Sequence, residues 1–226
     1  MISIIMPTLN AADLLAQSAH SLKAASSGGL VKELIIADGG SEDATLEIAK
    51  DLNARIVKGK KGRGTQLAAG AKTARSPWLL FLHADTRLEK GWGQAVEAFI
   101  QLHDNNTAGY FRFRFDEESL SARSIAFGVA LRCRFRKMPY GDQGLLISRE
   151  FYDKIGGYKN IPIMEDVDLV ERIKQTGRLH PIKAAAITSA KRYRKEGYWR
   201  RVRRNAKCMA AWRRGASPEE ILELYE

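Results

Sequence analysis

The chain has 226 residues, of which 45% are hydrophobic and 28% charged; this describes a folded domain with a sizeable core and excludes a disordered or fibrous chain. No apolar run approaches the ~18 residues that a membrane-spanning helix needs, and the N-terminus lacks the basic-then-apolar pattern of a signal peptide. The net charge of +11 is concentrated, with eleven Lys and Arg between Lys191 and Arg214 against a single acid, Glu196, so the rest of the chain is nearly neutral.

The first strand is the β-branched run Ile2–Met6, stopped by Pro7. A polar turn, Pro7-Thr8-Leu9-Asn10, leads to a helix over Asp13–Ala25, with Leu14, Leu15, Ser18, Ala19 and Leu22 at helical spacing and Gly28-Gly29 behind it. Leu34–Ala37 is the second strand and ends in Asp38-Gly39-Gly40-Ser41, where Ser41 is placed to cap a helix over Glu42–Leu52. Arg55–Val57 is a short third strand. The basic, Gly-rich loop Lys58–Gly64 then precedes a helix over Thr65–Ala74; its glycines fit neither the Rossmann nor the P-loop spacing, so alone it reads equally as a surface loop. The apolar run Trp78–Leu82 ends abruptly in His83-Ala84-Asp85-Thr86.

This alternation, with connections too long for hairpins, predicts a mostly parallel central sheet flanked by helices. Ligands in such sheets bind beyond the carboxyl ends of the strands, which is where the polar turns fall. Taken singly, Asp85 reads as an Asx turn before it reads as a ligand.

The second half carries a helix over Gly91–His103 and a strand at Tyr110–Phe115, with Phe111, Phe113 and Phe115 on one face and Arg112 and Arg114 on the other. A helix follows over Ser119–Phe135. Gly141-Asp142-Gln143-Gly144 leads into a strand at Leu145–Ile147. After the Gly156-Gly157 loop, Glu165, Asp166 and Asp168 open a helix that runs to about Gln175; the macrodipole alone would favour carboxylates there. In the basic segment Trp199, Val202, Ala206, Met209 and Ala210 recur at spacings of three and four, an amphipathic helix, and Ser217-Pro218-Glu219-Glu220 reads as a capping box. Cys133 and Cys208 lack metal-ligand spacing and read as reduced packing residues of a cytoplasmic protein. One domain is expected over 1–226: a nucleotide-donor half (1–90), an acceptor and catalytic half (91–188) and a basic helical extension (189–226).

Four motifs in order, Pro7-Thr8-Leu9-Asn10, Asp38–Thr45, His83-Ala84-Asp85 and Glu165–Leu169, resemble glycosyltransferase family 2 over roughly the first 180 residues. The combination of Leu-His-Ala-Asp-Thr with Gly-Asp-Gln-Gly resembles a small soluble subgroup, some of whose members are linked to arsenosugar biosynthesis. The resemblance implies a GT-A fold, α/β in class, and inverting transfer of a hexose from a nucleotide-sugar donor. It implies that Pro7, Thr8 and Asn10 frame the nucleotide, that Asp38 bonds the uracil ring, and that Gly62, Arg63 and Gln66 close over the base. Asp85, flanked by Ala84, would hold a divalent cation (Mg²⁺ or Mn²⁺) on the donor diphosphate, and Asp166 would be the general base. Asp142, Gln143 and Glu165 fall where acceptor contacts are expected. His83 departs from the pattern, because the family usually has an Asp there; an imidazole can hydrogen-bond the ribose or bind a transition metal, and a strand-end His bonded to backbone fits equally.

Two other functions stay open. A sugar-1-phosphate nucleotidyltransferase has a similar sheet, but normally carries a longer Gly-rich run with a basic residue after the first strand, where this chain has Pro7-Thr8-Leu9-Asn10. The basic helix could instead lead a binding role, to an anionic membrane face more readily than to nucleic acid. It could equally clamp a phosphorylated or lipid-linked acceptor. A homodimer is compatible with the sequence.

Overall fold

β1 (Ile2–Thr8) is buried along its whole length and pairs in parallel with β2 (Val31–Asp38) on one side and β4 (Trp78–Phe81) on the other. A strand covered on both faces needs an unbroken apolar run, and its alternate residues then feed two separate cores. Ile4 and Met6 join one apolar layer with Leu15, Leu80 and Trp92; Ile5 joins the other with Leu67, Leu79, Phe81 and Leu169. In this computed structural model, which describes residues 1–26 and 28–225, α1 (Ala12–Ser26), α2 (Thr45–Asp51) and α3 (Arg63–Thr73) make the crossovers, and β3 (Arg55–Lys58) lies in parallel outside β2.

The chain continues through β5 (Thr86–Leu88), α4 (Trp92–Leu102), β6 (Thr107–Phe115), α5 (Leu120–Arg136), a 3-10 turn at Gly141–Gln143, β7 (Leu145–Ser148), α6 (Arg149–Lys154), α7 (Glu165–Thr176) and β8 (Arg178–Thr188). Strand order in the single sheet is β3-β2-β1-β4-β7-β6-β8-β5. The parallel expectation holds for the half built by β1–β4 and for the β6–β8 pair. β7 runs antiparallel to β4 and β6, and β5 antiparallel to β8. The inserted β7 is what brings the 3-10 turn against the end of β4.

β5 and β8 carry no strand signal in the sequence. β8 contains Pro181 and an Ala184–Ala186 run, both poor strand formers. Pro181 is accommodated because the β6–β8 register slips between Tyr110 and Arg112. Phe111 and Phe115 are buried on β6 while Arg112 and Arg114 stay exposed, as the alternation predicts.

Ser41 does not cap α2, which begins at Thr45; its hydroxyl bonds Asp38 instead. The basic segment breaks at Gly197 (φ +87°) into α8 (Lys191–Glu196) and α9 (Tyr198–Arg213). α10 (Pro218–Tyr225) has the expected reciprocal cap, Glu220 N–H to Ser217 Oγ and Ser217 N–H to Glu220 Oε2. The predicted apolar stripe of α9 holds only in part: Met209 is buried and Val202 packs against an apolar cluster. Trp199, Ala206 and Ala210 are exposed, and the buried face is Arg201, Cys208, Met209 and Ala211. Arg201 can occupy that face because it forms an ion pair with Glu196 at 2.9 Å and bonds the Tyr225 hydroxyl. Hydropathy periodicity counts such a paired cation as surface. Cys133 and Cys208 are buried free thiols, consistent with packing roles. Among the described residues no helix is long and apolar enough to cross a membrane.

Candidate active site

The carboxyl ends of β1 and β2 are stitched into one edge. Asp38 is 1% exposed and accepts four hydrogen bonds: Oδ1 from the Gly40 and Ser41 N–H groups at 2.9 Å each, and Oδ2 from the Thr8 hydroxyl at 2.9 Å and the Ser41 hydroxyl at 2.5 Å. Burial pushes this carboxyl up, but the bonds from Ser41, Thr8 and Gly40 outweigh it and hold it below the usual carboxylate range. A carboxylate offers about four acceptor positions, and all of them are taken. Asp38 therefore organises the turn, with its acceptor positions engaged inside the fold. Asn10, at φ +49°, accepts from Glu42 N–H and donates its own N–H to Ser41 Oγ. Gln66 is equally occupied: its amide nitrogen donates to the carbonyls of Thr8 and Ala37 at 2.7 and 2.8 Å. Gly39 packs against that amide, and Gly40 beside it is exposed.

A cleft lies beyond the end of β4. Arg63, His83, Asp85, Asp142 and Asp166 all line it, so one site receives groups from α3, the β4–β5 turn, the 3-10 turn and α7. Arg63 sits in the first turn of α3, one residue after Gly62 at φ +141°. The next residue, Gly64, has no room for a side chain: a Cβ there would stand 2.2 Å from the Lys159 carbonyl and 2.8 Å from that of Ile161. This close approach carries α3 against the start of α7, where Arg63 Nε meets Glu165 Oε1 at 3.0 Å.

Asp166 is gripped by backbone. Its Oδ2 accepts from Gly141 N–H at 2.7 Å and its Oδ1 from Val167 N–H at 2.8 Å. A Cβ on Gly141 would lie 2.7 Å from His83 Nε2 and 3.3 Å from Asp166 Oδ2, so Gly141 lets the imidazole and the carboxylate approach one another. Burial, and then Arg63, lower the His83 pKa to about 4, so the ring is neutral at pH 7 and has an acceptor nitrogen. Asp85 keeps its carboxylate almost free; the nearest side-chain partner is the Thr86 hydroxyl at 3.4 Å. Asp142 Oδ1 is buried with no partner among the described residues, and burial pushes that carboxyl up to about 6.

Nine expected site residues are not in the cleft lining: Pro7, Thr8, Asn10, Asp38, Gly62 and Gln66 of the donor half, and Ala84, Gln143 and Glu165. Gln143 is buried, its nitrogen donating to the Phe111 carbonyl at 3.0 Å and its oxygen accepting from Arg132 at 3.2 Å, and these bonds fix the 3-10 turn. Ala84 accepts at its carbonyl from the Ser18 hydroxyl. Glu165 is 1% exposed and faces Arg63. The sequence reading missed the opposite wall: Thr188 and Ser189 at the end of β8, Arg192 and Tyr193 of α8, Arg201 and Asn205 of α9, and Tyr225 of α10. No motif marks these residues; only the density of cations in the segment sets it apart. The segment is thus part of the site, not an appendage.

Glu165 predicts a pH effect on stability. Burial pushes its carboxyl up to about 7, Arg63 opposes this, and Oε2 has no partner among the described residues. The folded state therefore holds this proton more tightly than the unfolded state. The associated stability is fully present below the unfolded value of 4.5 and is lost as pH rises through about 7. Melting curves of wild type and Glu165→Gln between those limits should show a downward slope in the former that flattens in the latter. Parallel profiles would refute the assignment.

The donor set suits a lean cation site. Asp85 offers a free carboxylate, Asp142 an unpartnered oxygen and His83 a neutral imidazole. Among the described residues no group of three or more His, Cys, Asp or Glu is arranged to hold a metal unaided. Mg²⁺ commonly takes only one or two carboxylates and completes its shell with substrate phosphates and water, so these residues fit such an ion.

Residues 3–159 match the family described as "Glycosyl transferase family 2". PGL/p-HBAD biosynthesis glycosyltransferases of Mycobacterium bovis and Mycobacterium tuberculosis are 36% identical over 118 residues, 49% of this chain and 45% of theirs, so the chain matches less than half the length of these relatives. Among solved structures, S. aureus TarS 1–349 with UDP-GlcNAc superposes with a TM-score of 0.63 at 16% identity, over 83% of this chain and 58% of that one. Glucosyl-3-phosphoglycerate synthase from Mycobacterium tuberculosis, with Mn²⁺, UDP and phosphoglyceric acid, gives 0.56 at 18% identity, over 80% and 68%. At these identities the structures share a fold with this chain.

Proposed function

This chain belongs to glycosyl transferase family 2 and has the GT-A fold, and on that premise we propose that its cleft transfers a sugar from a UDP-linked donor to an acceptor hydroxyl with inversion. The observation that carries the reading is the pairing, in one cleft, of a nearly free carboxylate, Asp85, with a rigidly held one, Asp166. The nucleotide lies along the β1–β2 edge, where Asp38, Asn10 and Gln66 fix the backbone and Gly39–Gly40 meets the base; Pro7 and Thr8 frame that edge.

Asp85 would hold a Mg²⁺ or Mn²⁺, with His83 or Asp142 beside it, and the ion would supply positive charge against the leaving diphosphate. Arg63 adds fixed positive charge to the same cleft, and its pKa is raised because Glu165 and Asp166 outweigh its burial. Asp166 is the general base. It takes the acceptor's hydroxyl proton as that oxygen bonds the anomeric carbon, while the bond from carbon to diphosphate breaks and its electron pair leaves with the diphosphate. Gly141 and Val167 hold the carboxylate in place for that transfer. The neighbour that holds phosphoglyceric acid supports a phosphorylated acceptor, and Arg192, which has no ion-pair partner among the described residues, supplies a cation at the α8 wall. Cations exposed on α8 and α9 also support peripheral binding to an anionic membrane.

Calorimetry with UDP-, dTDP- and GDP-sugars, each with Mg²⁺ and with Mn²⁺, tests the donor. Cation-dependent binding of one UDP-sugar is the expected result, and binding of none overturns the reading. Pyrophosphate release from UTP and a sugar-1-phosphate would establish the nucleotidyltransferase in its place.

A further inference from the structure

α5 displays an apolar stripe to solvent. Leu120, Phe127, Leu131 and Phe135 are 81, 67, 39 and 75% exposed, at spacings of seven, four and four, which puts them on one helix face. The opposite face is the buried one, through Ala122, Ile125 and Cys133. A core helix has no reason to carry two exposed Phe on its outer side, and contiguous apolar surface of this kind marks an interaction site. The helix contains no acid, and Arg123, Arg134 and Arg136 are exposed without an ion-pair partner among the described residues.

α5 shares one apolar cluster with the basic helices, in which Phe115 of β6 packs on Tyr193 of α8 and Tyr198 of α9 and the cluster also takes in Ala122, Ile125 and Val129 of α5 and Val202 of α9. α9 exposes Trp199 at 59%, together with Arg200, Arg203 and Lys207. The inner sides of α8 and α9 supply Tyr193, Arg201 and Asn205 to the cleft.

We propose that α5 and α9 form one membrane-docking surface, in which the Leu120–Phe127–Leu131–Phe135 stripe enters the acyl boundary of an anionic bilayer while the surrounding Arg and Lys bind lipid headgroups. This rests on the membrane reading of the basic helices and adds the element that inserts. Charge decides the occupant. A second copy would bring like-charged faces together, and a nucleic acid would neutralise the cations but leave the Phe stripe in water; an anionic lipid surface satisfies both. The arrangement places the cleft wall beside the bilayer, within reach of an acceptor whose anchor stays in the lipid.

Vesicle flotation of the full chain tests this, using phosphatidylcholine vesicles with and without phosphatidylglycerol. Wild type is expected to float with the anionic vesicles only. Phe127→Ser/Phe135→Ser should lower that partitioning by at least about 10-fold with an unchanged melting temperature, because two exposed rings no longer leave water. Its residual binding should vanish at high salt. Arg200→Glu/Arg203→Glu should abolish the preference for anionic lipid. If wild type floats and the Phe variant floats equally well, the α5 surface is refuted and the basic-helix reading stands. If wild type fails to float, both fall. A wild-type dimer that the Phe variant converts to monomer, with no vesicle binding by either, would assign the stripe to a second copy and overturn the proposal.

Discussion

Asp166→Asn is expected to lower kcat by about 10²–10⁴-fold while the affinity for the nucleotide-sugar donor stays nearly constant. The two readouts separate because the residue's contacts are with backbone, not with the nucleotide edge: Oδ2 meets Gly141 N–H and Oδ1 meets Val167 N–H. An Asn side chain has the same shape but only one acceptor oxygen, so it keeps one of those two bonds and cannot receive the acceptor's proton. The orphaned N–H should cost about 1–3 kcal/mol of stability, measurable by chemical denaturation. Steady-state kinetics beside calorimetric donor binding reads the rest. Donor affinity falling in step with turnover would move Asp166 from base to donor ligand. Asp142→Asn is the informative comparison, because its carboxyl, pushed up to about 6 with one oxygen unpartnered, lies in the same cleft. If Asp142→Asn alone removed turnover at full donor affinity, the base would be Asp142.

The sequence made the donor half legible because its signals are local. Ile2–Met6 reads as a buried strand from side-chain type alone, and the turns at Thr8 and Asp38 fall where the crossovers must reverse. The motif positions also converge in space: Arg63, His83, Asp85, Asp142 and Asp166 line one cleft although they span much of the chain. What the sequence could not convey was which polar group is spent. Asp38, Gln66 and Gln143 sit at motif positions, yet each is buried and bonded within the fold. That depends on partners distant in sequence, and no spacing rule encodes it. β8 was hidden by Pro181, tolerated only because the register slips beside it. The far wall of the cleft was hidden by charge. A segment holding eleven cations reads as surface, but Arg201 is 7% exposed and tied to Glu196 and Tyr225, and this pins the C-terminal helices over the site.

Asp85→Asn is expected to weaken cation-dependent donor binding by at least about 10-fold, the scale seen when even an outer-shell partner of a metal is lost. Turnover should fall by at least about 10²-fold, since a cation's charge stabilisation of a leaving group is worth several kcal/mol. The prediction is unusually clean because the substitution should be nearly silent for folding: among the described residues the carboxylate's one hydrogen bond is the long one from the Thr86 hydroxyl, at 3.4 Å. Loss of function then cannot be attributed to a collapsed site. The rest of the available donor set is thin. His83 is neutral and can donate a lone pair but no charge, and Asp142 Oδ1 is a buried carboxylate oxygen of the cleft without a partner among the described residues. Removing Asp85 therefore removes the charge that compensates an ion's lost water, and Asn, which can coordinate through its carbonyl oxygen, isolates charge from geometry. Calorimetry of the donor with Mg²⁺, with Mn²⁺ and with chelator reads the difference directly. The expected pattern is that the variant in metal binds donor as weakly as wild type in chelator. If the variant kept full metal-dependent affinity, the ion would be held by Asp142 with the diphosphate, and Asp85 would be a strand-end turn residue.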